Sequence, residues 1–294
     1  MNLRLWELTA TGDDGLGVPV AVGPKWQGTD EPISAGGNDI VIFVHGFNNT
    51  LQRAEDVWRK ETWAELLHQQ VPPSSLRKVV LLYWSGCGSS NRALGGLLYP
   101  LLVKNAVATA EFLADYLITA THSATVPVDV SFVGHSLGCR VVLETVQRLS
   151  QTPTLRVKRL LLMAGAVAEG YCVPWEKFGY PVARVEERVL WSTRDSALKL
   201  PFRAGQKLAH DEPATHRRAV GRIGGPTARW SRASCTTRAR HGDYWASTAT
   251  VRHIAHVLDD LPQTREPVPT LRDVDAREIP ERNEAARILP NRTL

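Results

Sequence analysis

The pentapeptide Gly134-His135-Ser136-Leu137-Gly138 constrains this chain more than any other feature. It follows directly on Val128-Asp-Val-Ser-Phe-Val133, a β-branched and aromatic run with strand character, and it opens an amphipathic stretch from Cys139 to Ser150. Val141, Val142, Thr145, Val146 and Leu149 recur there at helical spacing. A serine set between strand and helix must turn the chain sharply, which strains its backbone and leaves no room for side chains two residues to either side. Its Oγ then projects above the carboxyl edge of a sheet, where the helix N-terminus offers backbone donors and a field that favours developing negative charge. The competing reading, an incidental turn, explains neither flank.

The same alternation recurs along the chain. Asp39–Val44 is apolar on both faces, as a central strand covered on both sides requires, and Asn48-Asn-Thr50 then offers capping chemistry for a helix running to Gln70. Lys78–Trp84 predicts a strand, Lys104–Ala120 a helix, and Arg159–Ala164 and Arg188–Ser192 two more strands. A last strand near Arg232–Thr237 and a helix over Ser247–Leu258 follow, and Leu3–Leu8 reads as an edge strand. Strands alternating with helices through short links predict one α/β domain with a mostly parallel central sheet and helices on both faces, because parallel neighbours need crossovers. That domain spans residues 1–262. Residues 263–294, charged and punctuated by proline, read as a tail or a surface clasp.

Composition narrows the classes. Hydrophobic residues make up 43% of 294, which excludes global disorder, and four cysteines at 87, 139, 172 and 235 lack metal-type pairing and the density of a secreted framework. A reducing, cytoplasmic setting is expected. The first residues show no signal-peptide pattern, and the most apolar stretch, Ala93–Val103, has 11 residues where a membrane span needs about 18 or more. No membrane span is expected. That stretch reads either as the wall of an apolar pocket or as the buried start of the next helix. Between Lys199 and Arg240, ten Lys/Arg stand against Asp211 and Glu212, a local +8 in a chain of net +5. This segment allows an anionic substrate or an ordinary solvated surface; without a recognisable nucleic-acid module, no nucleic acid is expected.

A serine hydroxyl is a weak nucleophile at neutral pH, so Ser136 needs a base and the base an orienting carboxylate. Asp195 lies just past the strand ending at Ser192, on the same sheet edge as Ser136, and it can also cap the segment that follows. Glu186 and Glu187 precede that strand and belong to the opposite edge. Of the five later histidines, His253 and His256 fall within a helix, and His210 and His216 in an unanchored polar loop. His241, in Arg240-His-Gly-Asp-Tyr-Trp245 between the last strand and last helix, is the base. Backbone N–H groups of Leu137, next to the serine, and Phe47, in the loop after the early central strand, are the candidate oxyanion donors. His45 reads as structural, hydrogen-bonded beneath that loop.

Together, Phe43-Val-His-Gly-Phe-Asn-Asn-Thr50, the serine pentapeptide, the aspartate after a late strand and the His241 loop resemble the α/β-hydrolase superfamily. Leu81-Leu-Tyr-Trp-Ser-Gly86 and Arg222-Ile-Gly-Gly-Pro226 further resemble the bacterial hydrolases grouped as domain of unknown function 900. The resemblance covers roughly residues 39–260 and implies an α/β-hydrolase fold and a serine hydrolase, esterase-like, acting on a small acyl substrate through an acyl-enzyme, with no metal or organic cofactor. Thioester or amide hydrolysis would use the same residues, and a catalytically idle fold kept as a binding module is the rival of another class. Gly242 departs from the serine common before the aspartate-tyrosine pair and is expected to loosen the histidine loop.

Overall fold

A run of apolar, β-branched residues with no polar face folds only where both faces are covered, and Asp39–Val44 sits accordingly at the centre of the sheet. The computed structural model describes residues 3–7, 19–22, 26–27, 39–47, 77–84, 92–173, 176–179, 186–211, 213, 217–224 and 234–258. The strands among them are β1 (Leu3–Glu7), β2 (Pro19–Val22), β3 (Trp26–Gln27), β4 (Asp39–Val44), β5 (Arg77–Trp84), β6 (Val128–His135), β7 (Leu155–Met163), β8 (Glu186–Trp191) and β9 (Ser234–Thr236). They form one sheet in the order β3-β2-β1-β5-β4-β6-β7-β8-β9. From β5 to β9 every pairing is parallel; β1, β2 and β3 join antiparallel at one end.

The helices are α1 (Arg92–Thr121), α2 (Gly138–Leu149), α3 (Pro201–Ala209) and α4 (Thr248–Leu258), with a single helical turn at Val220–Ile223. Right-handed crossovers from β5 to β6 and from β6 to β7 place α1 and α2 on one face, where they pack together and α3 packs on α1. On the other face α4 lies against β7, and its last carbonyls, Val257 and Leu258, accept from the guanidinium groups of Arg159 and Arg77.

Two expectations need correction. The strand at Leu3 ends at Glu7 and is internal, paired with β2 and β5; the sheet edge is the two-residue β3, too short to show in sequence. The helix expected from Lys104 begins at Arg92 and runs through Pro100, so Ala93–Val103 is its first third. An apolar stretch with two glycines and a proline carries no helical stripe that would reveal this. Leu101 faces solvent while Leu102 and Val103 are buried, which makes this part of the stretch helix packing and not a continuous apolar wall. The helix expected over residues 48–70 and the tail of 263–294 lie outside the described residues.

The helix that carries the serine is buried almost all round. Val141, Val142 and Val146 are covered as their spacing predicts, but Arg140 and Glu144 are buried too. Arg140 Nε donates to Glu144 Oε1 at 2.7 Å, and Nη1 and Nη2 donate to the two carboxylate oxygens of Asp211 at 2.9 and 3.3 Å. Its guanidinium stacks 5.1 and 5.2 Å from the ring centres of Tyr171 and Phe178. Lys177 Nζ reaches Glu144 at 2.5 Å, so each charge in the cluster has an opposite partner.

Candidate active site

Chain geometry at the end of β6 begins with Gly138. A Cβ there would stand 2.3 Å from the His45 carbonyl oxygen and 2.6 Å from that of Val44, both backbone atoms of the neighbouring strand and its exit, so α2 can start this close only from glycine. Gly134 is less tight, its added Cβ meeting the Cα of Cys139 at 3.0 Å. Between them Ser136 adopts φ 54°, a left-handed conformation that costs a non-glycine residue about 1–3 kcal/mol and persists only where the surroundings enforce it. The enforcing bonds are local: Ser136 N–H donates to the Met163 carbonyl at 2.9 Å, and the Ser136 carbonyl accepts from Cys139 N–H at 3.1 Å and Ala166 N–H at 3.0 Å.

Asp195 follows β8 and is fully buried. Its Oδ1 accepts from the Leu198 N–H at 3.1 Å and its Oδ2 lies 2.7 Å from His241 Nδ1, so capping and orienting coexist in one carboxylate. A carboxylate only accepts, so Nδ1 carries a proton, and in the neutral ring the lone pair is on Nε2. That lone pair lies 2.8 Å from Ser136 Oγ. Residues 46 and 105 positions away from the histidine in sequence thus form one hydrogen-bonded line. His253 and His256 sit on α4 and His210 ends α3; among the described histidines only His241 bonds the serine hydroxyl.

The histidine loop is anchored at both ends. Arg240 N–H donates to Asp243 Oδ2 at 2.8 Å and Asp243 N–H returns to the Arg240 carbonyl at 3.1 Å, closing a turn around His241 and Gly242. Buried Tyr244 meets Thr237 Oγ1 at 3.2 Å through its hydroxyl, which pins the next residue, and burial raises its pKa. The turn is therefore closed without a serine at position 242, and the expected loosening is answered by Asp243.

The sequence alone assigns His135 no role. Its Nε2–H donates to the His241 carbonyl at 2.8 Å, fixing the main chain at His241 from within the serine pentapeptide. Burial, then the nearby His241 charge, lowers its pKa to about 3, so the ring stays neutral. A carbonyl can only accept, so this donor assignment follows from the partner. Beneath the first loop His45 behaves as expected: its Nδ1–H donates to the Gly46 carbonyl at 2.6 Å, its Nε2 accepts from Trp84 N–H at 3.3 Å, and burial lowers its pKa to about 4.

Phe47, half-buried, and Leu137, buried, have no acceptor for their backbone N–H groups among the described residues. Of the basic segment, Arg218 pairs with buried Glu169 at 3.2 Å and Arg217 donates to the Pro213 carbonyl at 3.4 Å.

The family model described as the alpha/beta hydrolase family matches residues 41–288. The chain belongs to the alpha/beta hydrolase family. Among solved structures, this family member is similar to a predicted CIB-like hydrolase of Thermoplasma acidophilum, at 16% identity over 78% of this chain and 90% of that one, with a TM-score of 0.44. It is also similar to an esterase of Pyrobaculum calidifontis, at 14% identity over 87% and 85% with a TM-score of 0.41. Alpha/beta hydrolase domain-containing protein 10 from mouse gives 14% over 76% and 88%, with a TM-score of 0.36. No curated protein sequence matches the chain. No helix among the described residues is long and apolar enough to cross a membrane.

Proposed function

We propose that this hydrolase-family chain is a serine hydrolase that cleaves carboxylic esters through an acyl-enzyme. The observation that carries the reading is the line Asp195 Oδ2, His241 Nδ1–H, His241 Nε2, Ser136 Oγ, with spacings of 2.7 and 2.8 Å at its two hydrogen bonds. Nε2 takes the proton of Ser136 as Oγ attacks the acyl carbon, and buried Asp195 stabilises the imidazolium that forms. The unengaged N–H groups of Leu137 and Phe47 receive the negative charge that gathers on the acyl oxygen. Collapse of the tetrahedral species breaks the bond to the leaving group, which takes the proton back from Nε2–H. Water then repeats the sequence: Nε2 removes its proton, its oxygen attacks the acyl carbon, and Ser136 leaves with that proton restored.

Free thiols at buried Cys139 and Cys172 accord with a cytoplasmic setting. The narrower kinship with the hydrolases of domain of unknown function 900, and an anionic substrate, belong to the same proposal. A panel of p-nitrophenyl esters from acetyl to palmitoyl, run beside matched thioesters and amides, tests the reaction. Ester turnover with Ser136 labelled by a fluorophosphonate is the expected result; labelling elsewhere, or preferred turnover of thioesters or amides, overturns the ester reading. For a negatively charged ester kcat/KM should fall with salt more steeply than for a neutral one of equal size.

A further inference from the structure

We propose that Arg222, from the Arg222-Ile-Gly-Gly-Pro226 segment, is a positioning residue that fixes the acid turn of the site relative to the serine. The inference rests on the serine-hydrolase reading above. Its guanidinium Nη1 donates to two carbonyls of that turn, Thr193 and Asp195, each at 2.8 Å. One planar cation thereby fixes the separation of two carbonyls that bracket Arg194, one two residues before Asp195 and the other its own.

The other end of this brace reaches the serine. Arg218 to Gly221 runs against the exit of β7: Glu169 N–H donates to the Arg218 carbonyl at 2.8 Å, Val220 N–H to that of Val167 at 2.9 Å, and Gly221 N–H to that of Gly165 at 3.0 Å. Gly221 is the point of closest approach, since a Cβ on it would lie 2.1 Å from Ala164 C and Gly165 N. The next residue along that exit, Ala166, donates its N–H to the Ser136 carbonyl, and the Gly221 carbonyl in turn accepts from Ser192 N–H at 3.1 Å. A continuous set of short contacts therefore runs from the Ser136 backbone through residues 219–222 to the turn that presents Asp195.

The bond to Thr193 is exposed and that to Asp195 part-buried, so water can replace the guanidinium when it is removed, but water does not hold the spacing of the two carbonyls. The expected signature is lost turnover with little lost stability. Arg222→Ala should lower kcat for p-nitrophenyl acetate about 10–100-fold, as misplacement of a catalytic group by a fraction of an ångström does, with KM changed less than about threefold and Tm nearly unchanged. Millimolar guanidinium should restore part of the lost kcat in the variant and none in the parent, and Arg222→Lys should fall between the two proteins. Parental kcat in Arg222→Ala overturns the proposal, as does a loss of kcat that follows a fall in Tm, spares Arg222→Lys fully and ignores guanidinium. Failure of the underlying reading looks different: the parent itself would escape fluorophosphonate labelling.

Discussion

Two polar clusters lie at and just before the start of α2, and their difference separates architecture from chemistry. Around Arg140, the charges of Glu144, Asp211 and Lys177 close on one another, and two aromatic rings cover the guanidinium. Around Ser136 the line of partners is open: Asp195 is fully buried and bonded to His241 and Leu198, the serine hydroxyl ends the line, and the N–H groups of Leu137 and Phe47 have no acceptor among the described residues. Buried charges without full compensation destabilise a fold, so the first arrangement is what stability demands. Strained backbone at φ 54° serves no such end, and it falls on the residue for which the nucleophile's role is proposed.

Breaking the open cluster should abolish turnover and spare the fold. Ser136→Ala is expected to lower kcat by about 10⁴ to 10⁶, with Tm nearly unchanged because only a hydroxyl is lost. His241→Ala and Asp195→Asn should each remove most of the same activity, and adding either to Ser136→Ala should cost almost nothing more, since the three groups act as a unit. Turnover that multiplies the separate losses in the double variants would mean that the three side chains do not share one step.

The closed cluster should respond the other way round. Arg140→Met leaves Glu144 with Lys177 and Asp211, among the described residues, with only the Tyr171 hydroxyl, and breaking a buried pair in this way typically costs about 3–5 kcal/mol. Urea unfolding should register that loss while kcat per folded molecule stays close to parental. An Arg140→Met protein of parental stability would show that the cluster contributes little to the fold.

That contrast also explains what could be read from the chain alone. Ser136 and Asp195, two of the residues the structure brings together, can be picked out in the sequence because each follows a strand whose β-branched run is visible, and His241 because it stands between the last strand and the last helix. Val128–Val133, Arg188–Ser192 and the loop before Thr248 each deliver one group to the same edge. Partners supplied from a distance were not legible. Arg140 and Glu144 look like a solvent-facing stripe on α2 until residues 171, 177, 178 and 211 cover them. His135 and Arg222 act through carbonyl oxygens, which have no sequence of their own. Local periodicity likewise missed the first third of α1, where apolar residues occur on all sides and proline interrupts the pattern.

Neutral buried histidines add an acid sensitivity that the closed cluster does not predict. His45 and His135, with pKa values lowered from 6.5 to about 4 and about 3, stay unprotonated in the folded chain while their unfolded counterparts bind protons below 6.5. The unfolded state therefore gains protons first, so stability is full above pH 6.5 and is lost as pH falls toward 4; at pH 5 each residue contributes a loss of about 2 kcal/mol. For both the cause is burial, and in His45 a protonated Nε2 would also point a donor at the Trp84 N–H. Urea midpoints at pH 7.5, 6 and 5 should fall accordingly, and His45→Asn should flatten the slope even if it lowers stability at pH 7.5. A midpoint unchanged from pH 7.5 to 5 would contradict the burial argument.

The smallest effect sharpens the account of the histidine loop. Gly242 has nothing within 4 Å of the position a Cβ would take, and its φ lies outside the left-handed range, so no contact or conformation requires glycine there. The turn is closed instead by Arg240 and Asp243, whose bonds flank His241 without using residue 242. Gly242→Ser removes freedom from the unfolded chain at no native cost, and should stabilise the protein by about 0.4–1 kcal/mol with kcat within twofold of parental. Asp243→Ala, which deletes the closing acceptor of the Arg240 N–H, should lower kcat more than Gly242→Ser alters it. If the serine variant instead raised kcat severalfold, the glycine would be the weak point of the loop, and the Asp243 turn too slack to hold the base by itself.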